Sequence, residues 1–225
     1  DCWLVSGSVV LNTESIKRMI HFVRPPVESN AYIKVWKLPR GDQKYIIGVD
    51  MAEGLPTGDF SVAVVIEQST GDHVATLRGR IPIDAFYAQM VTLACRYNNA
   101  VLAVERASHG RTILEWLRQS AYPHVYKYQD KPGWSTDVRT RPHLVDLMST
   151  LISSHAFTTN DLDFLHECLA LQFIDGKAQA PANGTDDIFM ALGIAQVVRQ
   201  SHPTQFHRVH YHVQHYAEEV LGSYG

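Results

Sequence analysis

The stretch "YIIGVDMAEGLPTGDFSVAVVIE", residues 45–67, drives an apolar strand into an aspartate, turns through two glycines, and re-enters as a second apolar strand. Asp50 ends the first strand and Asp59 closes the turn. A carboxylate at the end of a buried strand needs a hydrogen-bond partner, a metal or a ligand, because an unpaired charge is costly to desolvate. β-branched residues dominate "FSVAVVIEQ", "STGD" supplies a turn, and "HVATLRGR" follows as a third strand. Residues 45–80 therefore read as a strand meander.

Downstream, apolar residues at helical spacing from Ile83 to Tyr97 predict a helix, with Pro82 near its start. "AVLAVE" then reads as a strand buried on both faces and ending at Glu105. A helix over residues 110–119 and a short strand at "HVYKY" follow, and "QDKPGWSTDVRTRP" reads as a loop. Helices are predicted over 142–155 and in "TTNDLDFLHECLAL", the second capped by Asn160 or Asp161. "FIDGKAQAPANG" reads as a hairpin-like excursion, and a last helix begins near Thr185-Asp186-Asp187. Strands followed by alternating helices and strands give one α/β domain, a mixed sheet covered by helices.

Upstream, "TESIKRMIHF" predicts a short helix capped by Thr13 or Asn12. Flanking prolines and a first residue that is not methionine mark residues 1–43 as a linker or accessory segment from a larger protein. Residues 44–200 form the expected domain, and 201–225 a polar tail. The tail carries His202, His207, His210, His212 and His215, whose reading as a polar terminal helix is preferred to metal binding.

The composition is that of an ordinary globular protein: 225 residues, 45% apolar and 19% charged. Its three cysteines are far apart in sequence, which fits neither a disulfide framework nor a zinc cluster and points to a reducing cytoplasm. No apolar run is long enough to span a bilayer. A formal charge of −3 excludes a global cationic footprint, so nucleic-acid binding needs a local basic surface or metal ions that offset the phosphates.

Three acidic positions can meet. Asp50 ends one strand, Glu105 ends another, and Asp186-Asp187 opens a helix. If the two strands are parallel neighbours, their C-terminal ends lie together, where open α/β sheets place their sites. Aspartates at a helix start also suit the positive end of its dipole. Converging carboxylates repel unless one protonates or a cation sits among them. Oxygen-only ligands suit Mg²⁺ or Mn²⁺, and two such ions roughly 3.5–4 Å apart serve phosphodiester cleavage. The alternative for each position is a turn residue, an exposed strand end or a helix cap.

Four segments, in order, resemble the C-terminal nuclease domain of the large terminase subunit of tailed bacteriophages. "GVDMAEGLPTGDFS" is similar to that family's first acidic motif, and "VLAVERASHG" to its second. "PGWSTDVRTRP" is similar to its Gly-Trp-x-Thr segment, and "APANGTDDIFMALGIA" to its third acidic motif. The resemblance covers about residues 40–198 and implies an RNase H-like fold, a mixed central sheet flanked by helices. It implies an endonuclease holding two divalent ions, Mg²⁺ or Mn²⁺, through Asp50, Glu105 and Asp187. Asp186 would be a helper, cap or alternate ligand, and Asp59 a fourth carboxylate that joins the site or stabilises its turn. Thr185 stands where many members carry histidine, which removes any histidine role there.

The implied substrate is concatemeric double-stranded viral DNA, cut during genome packaging to leave a 3′-hydroxyl and a 5′-phosphate. Expected phosphate contacts are Arg106, His109, Arg111, Lys127, Lys131, Arg139 and Arg141. Trp134 is expected to anchor its loop. The resemblance also implies a packaging ATPase domain, a small terminase subunit and a portal protein as partners, no membrane, and the cytoplasm of the infected bacterial host. Rival readings are another RNase H-like nuclease such as a junction resolvase or transposase-like enzyme, a sugar-kinase or actin-like ATP-binding domain, and a non-catalytic DNA- or portal-docking module.

Overall fold

The computed structural model describes residues 10–52, 60–182 and 184–201. Asp59 and the five tail histidines lie outside them. The described residues open with α1 (Thr13–His21), β1 (Glu28–Ser29) and β2 (Ile33–Val35), then the meander β3 (Tyr45–Asp50), β4 (Ser61–Glu67) and β5 (His73–Gly79). It continues through α2 (Ile83–Arg96), β6 (Val101–Val104), α3 (Gly110–Gln119), β7 (Lys127–Tyr128) and β8 (Lys131–Pro132). The last part holds α4 (Thr140–Ser153), α5 (Leu162–Ala170), β9 (Gln172–Ile174), β10 (Lys177–Gln179) and α6 (Asp187–Ser201).

Among the described residues, six strands form one mixed sheet in the order β1-β2-β5-β4-β3-β6. The meander is antiparallel throughout, while β6 returns parallel to β3, in register from Ile46↔Val101 to Val49↔Val104. This is the α/β mixed sheet, helix-flanked, that the sequence predicts. The segment before residue 44 adds more than the expected linker. β2 extends the sheet by pairing with β5, and Ile16 and Met19 of α1 enter the core. The loop expected around Gly133 contains β8, which pairs with β7, and Trp134 is buried against Tyr126 and Tyr128.

Strand alternation divides the core in two. Ile46, Val62, Val64, Ile66, Val101 and Ala103 face α1, α4, α5 and α6. Ile47, Val49, Ala63, Val65, Leu102 and Val104 face α2 and α3. By the same parity Asp50 follows Ile46 and Gly48 onto the α6 face, and Glu105 follows Val101 and Ala103 onto it. Both acids stand one residue beyond the last β3–β6 ladder pair, and the Glu105 N–H still donates to the Val49 carbonyl at 2.9 Å.

Gly48 sets the depth of α6. A Cβ there would lie 1.9 Å from the Ala191 carbonyl oxygen and 2.8 Å from the Ala195 nitrogen, so only glycine lets the helix backbone rest on the strand. α6 can lie so deep because nearly every side chain from Asp187 to Val198 is buried. Its distal end is pinned where Gln196 Nε2 donates to the Gly71 carbonyl at 2.7 Å and Arg199 Nε to that of Gln68 at 2.8 Å. Asp161, one of the two cap residues the sequence offers for α5, accepts from the Asp163 N–H. The hairpin turn of β9–β10 falls at Asp175-Gly176, both with positive φ. No helix among the described residues is long and apolar enough to cross a membrane.

Gly48→Ala forces α6 off the sheet. We expect a loss of roughly 1–3 kcal/mol, the range for overpacking a dense core, measured by denaturant unfolding. An unchanged midpoint would show that the contact is not tight.

Candidate metal centre

Two lengths bring the acids to one level. Asp50 lies two strand residues beyond Gly48, about 6.7 Å along β3. Asp187 lies four helix residues before Ala191, about 6 Å along α6. Because Gly48 touches Ala191, the N-terminus of α6 arrives over the end of β3, and β6 carries Glu105 alongside. Glu105 is held in turn by Gly110, where a Cβ would sit 1.8 Å from the Glu105 carbonyl oxygen.

The electrostatics record this convergence. Burial pushes the Asp50 carboxyl well above the usual carboxylate range, and the charge of Glu105 with a shared hydrogen bond pushes it further. Asp187 and then Asp186 add to the same effect. Asp50 thus feels all three other carboxylates, as groups designed to surround a cation do.

Each of the paired aspartates has its own tether. Asp187 is buried, and its Oδ2 accepts the Phe60 backbone N–H at 3.0 Å, which ties the start of α6 to the start of β4. Asp186 pairs with Arg141, whose Nη2 reaches Oδ2 at 2.5 Å while also donating to the Ala178 carbonyl at 3.0 Å. In this arrangement no three acidic, histidine or cysteine side chains among the described residues already enclose one ion. Asp187 is turned toward Phe60 and Asp186 toward Arg141. The chemistry of the donor set nevertheless fits a hard divalent cation, since clustered, partly buried oxygen donors of like charge need one to coexist ionised.

Of the basic residues expected at phosphates, Arg111, Lys127, Lys131 and Arg139 are exposed, and Arg106 and His109 are partly exposed. Arg106 Nε donates to the Trp134 carbonyl and Arg111 Nε to that of Arg106, so these two arginines also brace the loop. Arg141 differs from expectation, because its guanidinium is engaged inside the protein by Asp186 and Ala178. Trp134 is the loop anchor that the sequence favours, 2% exposed.

One buried acid escaped the sequence reading. Glu167 of α5 is 6% exposed and accepts from the Thr185 hydroxyl and the Phe189 N–H, both at 2.9 Å. It therefore caps the first turn of α6 from a neighbouring helix, satisfying a backbone donor that has no intrahelical partner. Its signal was an acid among the apolar positions Phe164, Leu165 and Cys168 of an amphipathic helix. Thr185, where a histidine was absent, here serves the cap.

Burial, with a smaller contribution from Asp187, raises the Glu167 carboxyl from 4.5 to about 8. Between these values the folded state holds a proton that the unfolded state has released, so this group's stabilisation is full below 4.5 and is lost as pH rises through 8. Glu167→Gln keeps an acceptor for Phe189 and cannot ionise. Its Tm relative to wild type should rise steadily from pH 5 to pH 8.5 (about the window of the shift). Parallel pH profiles would contradict the assignment.

Comparison with known proteins places this geometry. No protein-family model and no curated protein matches the sequence. Among solved structures, the large terminase nuclease from thermophilic phage G20c with bound magnesium aligns with a TM-score of 0.68 at 21% identity, over 83% of this chain and 97% of that one. The same nuclease is known with bound cobalt and with bound zinc. The Thermus phage P74-26 large terminase nuclease domain aligns with a TM-score of 0.63 at 21% identity, over 81% of this chain and 92% of that one. The chain has the RNase H-like fold of the large terminase nuclease domains that its four sequence motifs resemble.

Proposed function

We propose that this chain is a divalent-metal-dependent endonuclease that cuts concatemeric double-stranded viral DNA during genome packaging. The observation that carries the reading is the convergence of Asp50, Glu105 and Asp187, with Asp186 beside them, at the strand ends of a terminase nuclease fold. Two Mg²⁺ or Mn²⁺ ions bound there would supply the positive charge and the activated water for in-line phosphodiester hydrolysis.

The protein's own groups have distinct tasks. Asp50 and Glu105 present oxygens from the rigid sheet, and Asp187 presents one from the helix start. The Phe60 amide holds Asp187 Oδ2 until a cation draws the carboxylate over, while Arg141 keeps Asp186 to one side. Glu167 and Thr185 hold the first turn of α6 in place. The positive end of that helix faces the point where phosphate charge would grow. Arg111, Lys127, Lys131 and Arg139 would contact backbone phosphates without reading bases, so base specificity should be low.

In the cell the substrate would be met in the cytoplasm of the infected bacterium. The partners we propose are a packaging ATPase domain, a small terminase subunit and a portal protein. We assign the nuclease body to residues 44–200, with α1 and β2 of the preceding segment packed onto it as an accessory helix and strand.

Plasmid cleavage tests the reading. With Mn²⁺ or Mg²⁺ the chain should nick and linearise supercoiled DNA, and with EDTA it should not. Asp50→Ala should lower the metal-dependent cleavage to background. Cleavage that persists unchanged in the variant or in EDTA would overturn the site.

A further inference from the structure

The last described residue before β4 does two things. The Phe60 amide holds Asp187, and the Phe60 ring meets two guanidinium groups, that of Arg78 at 3.8 Å from its centroid and that of Arg80 at 3.9 Å. At such distances each guanidinium must lie over a face of the ring, since an approach in the ring plane would collide with the ring's own edge. The ring therefore carries both arginines against its π surface.

The sheet explains how. Val62 pairs with Arg78 and Ser61 with Gly79, so Arg78 and Arg80 leave β5 on the α6 face, and Phe60 precedes Val62 on that face by parity. Arg78 is largely covered and stands 3.9 Å from both Asp163 and Glu167, and its Nε has no hydrogen-bond partner among the described residues. Arg80 is exposed. A rigid aromatic plate thus carries one buried and one solvent-facing cation, and the amide of that same residue touches the carboxylate of the candidate metal centre.

We propose that Arg80, stacked on the Phe60 ring that Arg78 also contacts, receives a backbone phosphate of duplex DNA on the side of the site opposite the Glu105 loop. This rests on the nuclease reading above and adds a contact surface to it. β5 lies two strands from β3, about 10 Å away, the axial length of about three nucleotides at roughly 3.4 Å each. Basic residues then flank the carboxylates on both sides: Arg80 on the β5 side, and Arg111, Lys127 and Lys131 beside the Glu105 end of β6. An arginine suits the task because its planar fork can stack on a ring and donate to phosphate oxygens at once.

The test is equilibrium binding of a fluorescent duplex of arbitrary sequence in EDTA, across a salt series, for wild type, Arg80→Ala, Arg80→Lys and Phe60→Leu. Arg80→Ala should weaken binding equally for unrelated sequences and flatten the slope of log K against log salt by about 0.9, the value of one phosphate contact. Arg80→Lys should keep the slope, and Phe60→Leu should weaken binding less than Arg80→Ala. If wild type cuts plasmid with Mn²⁺ but Arg80→Ala binds with unchanged affinity and slope, the contact is refuted and the nuclease reading stands. If wild type neither binds nor cuts duplex DNA, both fall.

Discussion

Everything at the candidate centre depends on one contact, the Gly48 backbone against the Ala191 carbonyl of α6. It removes the side-chain layer that normally separates a helix from a sheet. A helix at ordinary depth would carry its first turn several ångströms above the strand ends, and Asp187 would face solvent. At this depth Asp187 comes level with Asp50, and the parallel β6 supplies Glu105 at the same height. Three segments distant in sequence contribute one carboxylate each because sheet register, strand parity and helix depth agree.

Such an arrangement opposes itself electrostatically, and the surroundings show how it is held. The Phe60 amide and the Arg141 guanidinium each take one of the paired aspartates. Glu167 clamps the first turn of α6 to α5 through Thr185 and the Phe189 amide. None of these groups neutralises Asp50, whose carboxyl remains shifted upward by burial and by Glu105. The residual strain on Asp50 is what a divalent cation would relieve. Stability without metal and affinity for metal are therefore linked through the same carboxylates.

Much of this was legible in the sequence. The meander strands, β6 itself and the start of α6 followed from apolar β-branched runs, the glycine turn and the paired aspartates, because each is a local pattern. The parallel pairing of β6 with β3 entered the reading only as a condition. Asp50 and Glu105 were visible as acids ending apolar strands. Three things were not. Whether Asp186 or Asp187 faces the strands depends on a rotation of about 100° around α6, and here Asp187 meets Phe60 while Asp186 meets Arg141. Arg141 reads as a phosphate contact until its internal partners are seen. β2 could not be assigned to the sheet, since its place beside β5 depends on pairing across some forty residues. Each of these depends on tertiary packing rather than on neighbours in the chain.

The central claim is that Asp50, Glu105 and Asp187 form one cation site. Anomalous diffraction from crystals soaked in Mn²⁺ tests it most directly. The account predicts a manganese peak within about 2.5 Å of carboxylate oxygens from all three residues, with Asp187 turned from the Phe60 amide toward it. A peak elsewhere on the molecule, or none at millimolar Mn²⁺, would contradict it.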